Sequence, residues 1–480
     1  MANASIDLSN ENTDLGGLAK QAFAVGVILL VVGLMATLAM GALGGAGGHG
    51  DGHAHNAPAV GHGATAGDAH DGHDHAGHDH AGDAHAGDTH TGDAHAGDAH
   101  AGDAHAGDHH AHHGYISERS WLHPYLISFS YFLAITIGAL FFVIIHHLVR
   151  SGWSATLRRL AEGVSLNFFV MAILAIPILM NLGDLYHWAV YENFSEAKKQ
   201  ADSLIYVKKD YLTGFWFTVR MVAYLVIWIG FSVYFRGQSV KQDESGDPAI
   251  SRKMGLMTPV AVLFFAFSVS FAGIDLLMSL DAHWFSTIFG VYFFAGCVLS
   301  WHAFLALIVV WLQKNGRLTK AINEEHIQDV GKMVFAFTVF WAYVAFSQYM
   351  LIWYANIPEE TGWYGRRQIT FEWGAFGFFL IFGHFVVPFL FLLSKHVKRR
   401  KTTLAIGSAW MLIVHWCDLY YLVMPQLMDG KEFPFHMIDV TIFISMAGLY
   451  ITTTAFFLGR APLLAKKDPK LPEALAFHNA

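Results

Sequence analysis

Asp184, His187, Arg220, Asp275, Asp281, His283, Gln348, His415 and Asp418 all lie inside, or at the ends of, long apolar runs. Ionisable groups in such runs are costly in hydrocarbon and face a protein interior or a wet cavity. Asp and His accept hydrogen bonds and take protons. A layer of them with Gln and many Trp and Tyr suits a quinol headgroup, whose ring and tail aromatic and aliphatic walls would bury. The same layer, joined by water to His302 and His384 as midplane relays, would instead carry protons. Spacing alone does not choose between these two chemistries.

Each residue also has a plainer reading. Arg220 is either a counter-ion for Asp184 or Asp275 or a group that tunes their ionisation, since a nearby positive charge favours carboxylates. His415 and Asp418 stand at i,i+3 and share one helical face, which reads first as a local hydrogen-bonded pair. Asp281 and His283 fit helix caps. A lone His in an apolar helix, such as His302 or His384, ordinarily bonds to a neighbouring helix. Tyr343, Ser347, Met350 and Tyr354 form a helical stripe that reads as packing.

The elements that must position these groups follow from composition. Of 480 residues, 54% are hydrophobic, 15% aromatic and 14% charged, where soluble proteins carry about 25% charged residues. That is too little charge to coat soluble domains, so the chain reads as a membrane protein. The net charge of −8 is dominated by residues 49–113, which hold eleven Asp and no Lys or Arg. The remainder, with 27 acidic and 30 basic residues, is near neutral, and no basic patch points to nucleic acid. Cys297 and Cys417 are far apart and form no CxxC, zinc set or CxxCH haem-attachment motif.

A bilayer core needs about 20 mainly apolar residues per helix. Ten runs qualify, near 18–43, 124–149, 164–183, 212–235, 256–280, 287–312, 332–356, 371–394, 403–424 and 437–459. The acidic stretch before the first, and its length, mark an uncleaved helix rather than a signal peptide. Pro177 predicts a kink in the third. Helical rise places Asp275 about 7 Å, Asp418 about 9 Å, Arg220 and Gln348 about 12 Å and His415 about 13 Å below one end of their spans. On the same scale His302 and His384 lie about 15 Å from the other end.

Lys and Arg favour the cytoplasmic side of connections. The two tails and alternate loops hold 21 basic residues and the opposite loops 8, with Arg220 inside a span. Both tails, 1–17 and 460–480, are therefore expected in the cytoplasm. The exception is loop 184–211, whose four Lys weaken the bias locally.

The first external loop, 44–123, contains the tract His49–His113. It holds eighteen His, with AGDAH-like pentapeptides from Ala81 to His110. So little apolar surface cannot offset the entropy of ordering, so the tract is expected to be disordered. It reads as a solvated repeat, or as a loose ligand for zinc, copper or nickel. Its charge passes from −11 with neutral His to +7 with protonated His, near the unperturbed imidazole pKa of about 6.5.

Several stretches carry a resemblance. Ser268–Phe294 (SVSFAGIDLLMSLDAHWFSTIFGVYFF), Phe335–Trp363 (FAFTVFWAYVAFSQYMLIWYANIPEETGW), Asn181–Trp188 (NLGDLYHW) and His415–Pro425 (HWCDLYYLVMP) resemble the ActF-type membrane subunit of bacterial alternative complex III. That assembly is a quinol:cytochrome c, or other electron-acceptor, oxidoreductase, and the subunit family is related to the NrfD/polysulfide reductase membrane subunits. The likeness runs from about Tyr115 to Pro462, and WYANIPEET is its most specific segment.

The resemblance implies an all-α integral membrane fold of ten transmembrane helices. They would form two four-helix bundles, 124–280 and 287–424, plus two peripheral helices, 18–43 and 437–459. It implies no haem or cluster in this chain, with quinol as a ligand. Partners would be a paralogous NrfD-like membrane subunit, an iron–sulfur subunit, c-type cytochrome subunits, quinone and lipid, and a terminal oxidase. The paralogue is the stronger candidate for the main quinol site, leaving proton conduction and scaffolding as roles here. The His-rich insert is not part of the family pattern. An alternative reading, a metal-cation transporter with a His-rich capture loop, requires ligand sets inside the spans. A third, a di-haem cytochrome, requires His pairs on facing helices.

Overall fold

Hydrocarbon offers no water to backbone N–H and C=O groups, so an apolar chain crossing it closes its hydrogen bonds within helices. The computed structural model describes residue 8 and residues 11–45, 120–191, 193–430 and 433–479. The tract His49–His113, with its expected disorder and loose metal binding, lies outside the described residues. Among the described residues all regular structure is helical. Ten helices of the described residues are long and apolar enough to cross a bilayer: Gly17–Met40, Leu122–Leu148, Arg158–Met180, Gly214–Ser245, Pro248–Leu280, Phe289–Lys314, Glu324–Ala355, Phe371–Leu393, Lys401–Leu427 and Met437–Leu458. The chain is an all-α, multi-pass membrane protein.

Several spans run past their apolar stretches because polar caps extend them. The fourth continues to Ser245 and the fifth begins at Pro248. Between them Gly246 takes the left-handed conformation, φ 71°, and the Asp247 carboxylate accepts from Ala249 N at 2.9 Å. The seventh begins at Glu324 rather than near 332, because the Asn323 side chain accepts from the amides of Glu325 and His326. In the third, the helical break falls at Leu166–Asn167, and the helix Phe168–Met180 continues through Pro177. Asn167 accounts for the break: its amide bonds Val164 O at 3.1 Å and Thr454 Oγ1 at 2.8 Å, competing with the local backbone ladder.

Spans two to five pack on one another, as do spans six to nine. The groups join where the second span, buried along nearly its whole length, lies against the sixth. Gly138 permits this approach, since a methyl group there would overlap the Cys297 carbonyl and the Trp301 Cβ. The tenth span packs on the second and third. The first leans on the tenth, where the Thr37 hydroxyl donates to Thr441 Oγ1 at 2.9 Å, and exposes most of its remaining side chains.

The two chain tails meet at one end of the molecule, where Leu463 N donates to Thr13 O at 2.7 Å. That end is the tail face, and the opposite end is the far face. Gly138→Val should wedge spans two and six apart. Overpacking of this kind costs about 1–3 kcal/mol, so the thermal midpoint of the detergent-solubilised chain should fall; an unchanged midpoint would show that this contact carries little.

Candidate functional site

The far-face polar residues separate into distinct groups, of which the most buried lies among spans six to nine. Residues Ile381–Val386 of the eighth span form a π-turn around His384, a feature common at functional positions. Trp410 Nε1 donates to the Gly383 carbonyl at 2.7 Å within this turn. His384 is fully buried, with the Trp341 ring over its imidazole at 3.7 Å between centroids. One helical turn apart on the ninth span, His415 and Asp418 reach the same place. Ligand atoms of His384, His415 and Asp418 all lie within 4.8 Å of one another.

The two halves of this group differ in how they are satisfied. Asp418 Oδ1 accepts from the Tyr292 hydroxyl and Oδ2 from Trp341 Nε1 at 3.1 Å. Among the described residues no ring nitrogen of His384 or His415 has a hydrogen-bond partner. His415 is placed by shape instead: Tyr131 lies at 5.6 Å between ring centroids, and a Cβ at Gly296 would stand 2.8 Å from His415 Cε1. The expected local His415–Asp418 hydrogen bond is therefore not made, because neighbouring helices supply the donors to Asp418. His384, placed with the midplane relays by its position in the sequence, belongs to this group. The result is an aromatic-walled set of two imidazoles without a hydrogen-bond partner among the described residues, beside one carboxylate held by two donors.

Asp275 makes the opposite kind of site. It is fully buried, and its two oxygens accept from Arg220 Nε and Nη2, both at 2.9 Å. Tyr211 and Tyr224 hydroxyls add bonds at 3.0 and 2.9 Å. Arg220 also stacks on the Tyr211 ring at 3.7 Å and donates to Tyr211 O at 2.9 Å. A carboxylate with four donors is a saturated clamp. Of the two counter-ions open to Arg220 in the sequence, Asp275 is the one it takes. Asp184 is exposed on the surface and His187 half-buried.

Asp281, His283 and Gln348 stitch the far-face rim together. Asp281 pairs with Arg366 and accepts from His283 N at 3.1 Å, while His283 Nε2 meets Asp202 Oδ2 at 2.7 Å. Gln348 accepts from Ser286 Oγ at 3.1 Å and donates to the Tyr364 hydroxyl at 3.2 Å. Beside them the buried Arg367 donates to the carbonyls of Trp363, Tyr421 and Leu422 at 2.8–3.0 Å and stacks on Trp363 at 3.3 Å. Burial pushes its guanidinium below the usual arginine range. The carbonyls it binds belong partly to the last turn of the ninth helix, so it caps that end. His302 bonds its own helix at Val298 O, 2.8 Å, and stacks on Phe337. The Tyr343–Tyr354 stripe faces outward, with Tyr343, Met350 and Tyr354 exposed.

A second ionic cluster, at the tail face, was counted in the sequence as loop charge. Arg159 meets Asp243 at 2.5 Å and Glu162 at 3.5 Å, Arg236 approaches Glu162 at 3.8 Å, and Arg158 binds Asp468 of the C-terminal tail at 2.7 Å. Arg158 also lies 3.0 Å from His147. The i,i+3 spacing of Arg159 and Glu162 was the available sign; the partners on the fourth span and tail had none. Compared with known proteins, the chain matches no family model and no curated protein.

Asp275→Asn should leave Arg220 poorly compensated. Removing one partner of a buried pair costs about 3–5 kcal/mol, lowered here because Arg220 is 17% exposed. Arg220→Met with Asp275→Leu should recover much of that loss in a thermal double-mutant cycle. Additive losses would show that the pair does not act as a unit.

Proposed function

We propose that this chain is an integral membrane subunit of a respiratory quinol-oxidising assembly of the alternative complex III type. In this reading it lies in a bacterial inner membrane with both tails cytoplasmic and carries no redox centre of its own. The observation that carries the reading is the His384–His415–Asp418 group, with its partnerless imidazoles and its walls of Tyr131, Tyr292 and Trp341. Quinol oxidation needs acceptors that bind the hydroxyls and remove their protons. The two imidazoles offer acceptor nitrogens without first breaking a protein bond, and Tyr292 and Trp341 hold the carboxylate in register beside them.

The likeness of Ser268–Phe294, Phe335–Trp363 and His415–Pro425 to ActF-type subunits supports the same reading, and the first and third of these segments contain Tyr292, His415 and Asp418. Electrons would pass through partner subunits, an iron–sulfur protein and c-type cytochromes, alongside a paralogous membrane subunit and a terminal oxidase. The role of this chain is to accept and move protons at the far face. Asp275, saturated by its four donors, serves the scaffold rather than the proton path.

Purification from native membranes in mild detergent should bring down a paralogous membrane protein, an iron–sulfur subunit and c-type haem absorbance. Asp418→Asn should then slow quinol oxidation at least about tenfold, the low end of acid–base contributions being larger still, while the same partners co-purify. Isolation of the chain without any redox-active partner would remove the respiratory reading. Unchanged turnover in Asp418→Asn would remove this group from the mechanism.

A further inference from the structure

We propose that His384, His415 and Asp418 form a binding site for a divalent transition ion of the zinc class, bridging the eighth and ninth spans. Three potential ligands on two helices converge, with their donor atoms within 4.8 Å of one another. All three are at least 98% buried. Among the described residues neither imidazole has a hydrogen-bond partner at either nitrogen, and buried polar atoms left unpaired are costly. An ion that takes one nitrogen from each ring relieves part of that cost.

The donor set selects the ion class. Two imidazoles with one carboxylate suit zinc and its transition-metal neighbours, whereas magnesium and calcium prefer all-oxygen sites. Ligand atoms about 2.0–2.1 Å from a tetrahedral zinc ion stand about 3.4 Å apart, so the site must tighten by about an ångström. His384 and His415 can move without breaking a hydrogen bond. Asp418 needs no release from Tyr292 or Trp341, because a carboxylate has about four acceptor directions and these donors use one on each oxygen. The Tyr292 hydroxyl, bonded to Oδ1 of Asp418, adds an oxygen beside this group.

Gly296 gives an independent handle on the geometry. A methyl group there would press on the His415 ring at Cε1, 2.8 Å away, while leaving every ligand in the chain. The sequence of the tract His49–His113 supplies imidazoles of its own, so the test has to separate the two. The ion site uses the side chains assigned above to proton exchange, and a bound ion would occupy lone pairs that assignment needs. Metal retention by the chain tests the ion site, whereas the redox partners that co-purify test the respiratory reading.

Full-length protein in detergent, stripped with EDTA, is loaded with Zn²⁺ and washed with a weak chelator to remove ions held by the tract. One retained equivalent is expected, with an X-ray absorption spectrum showing two imidazoles plus oxygen ligands at about 2.0–2.1 Å. The bound ion should also raise the thermal midpoint, since it binds the folded chain. His384→Gln and His415→Gln should each abolish retention, and Gly296→Ala should weaken it at least about tenfold, as orienting residues of metal sites do. No retained ion in the wild-type chain, a shell of three or more imidazoles, or full retention in a monodisperse His384→Gln/His415→Gln double variant would overturn the proposal.

Discussion

A charge carried into hydrocarbon has to bring its compensation with it, and the helix packing of this protein is built around that requirement. Desolvating an ion costs several kcal/mol even after relaxation, so an isolated Arg220 or Asp275 would oppose insertion of its helix. Joined through two hydrogen bonds at 2.9 Å, with two tyrosines completing the carboxylate, they tie the fourth span to the fifth. Arg159, Arg236, Glu162 and Asp243 do the same between the third and fourth spans at the tail face, and Arg158–Asp468 fastens the C-terminal tail there. Such pairs penalise alternative packings, since a helix shifted by one turn would strand a charge.

The His384–His415–Asp418 group stands out against that background. Its carboxylate is compensated by neutral donors, a phenol and an indole, and its imidazoles by nothing in the protein. An arrangement of this kind persists because its surroundings determine it. The π-turn sets the direction of His384, the Trp341 ring covers it, and the absence of a side chain at Gly296 leaves room for His415. Trp341 links both halves, with its ring on His384 and its N–H on Asp418. The same features that suit proton exchange suit ligation of an ion, because both require lone pairs that the fold has left uncommitted.

The spans were legible because length and apolarity are local properties, and all ten helices appear close to the runs read from hydropathy. Their ends were less legible where capping by Asn323 or Asp247 carried a helix onward through polar residues. The polar layer was legible as a list and not as a set of partnerships. Nothing in the positions of Arg220, Asp184 and Asp275 distinguishes the two acids, since the choice depends on how spans four and five rotate. His384 joined His415 only through the packing of span eight on span nine. Tyr292, Trp341 and Gly296 looked like ordinary aromatic and small residues of apolar helices, and became informative once their neighbours were known.

The ionic clusters also bear on the proposed orientation. Arg158, Arg159 and Arg236 were counted among the 21 basic residues of the tail face, yet they are folded into internal pairs. The far face has the same feature: Arg366 binds Asp281, Arg367 binds backbone carbonyls, and Lys208 donates to Ala282 O at 2.6 Å. Committed charges therefore occur on both faces, and on the tail face they also include Lys398, which donates to Leu393 O at 3.4 Å, and Arg399, which meets Glu325 at 2.6 Å. The positive-inside effect acts on the basic residues of the connections during insertion, before such pairs form. In the proposed orientation the tail face, richer in lysine and arginine, would lie on the cytoplasmic side, and Asp418 in the opposite half.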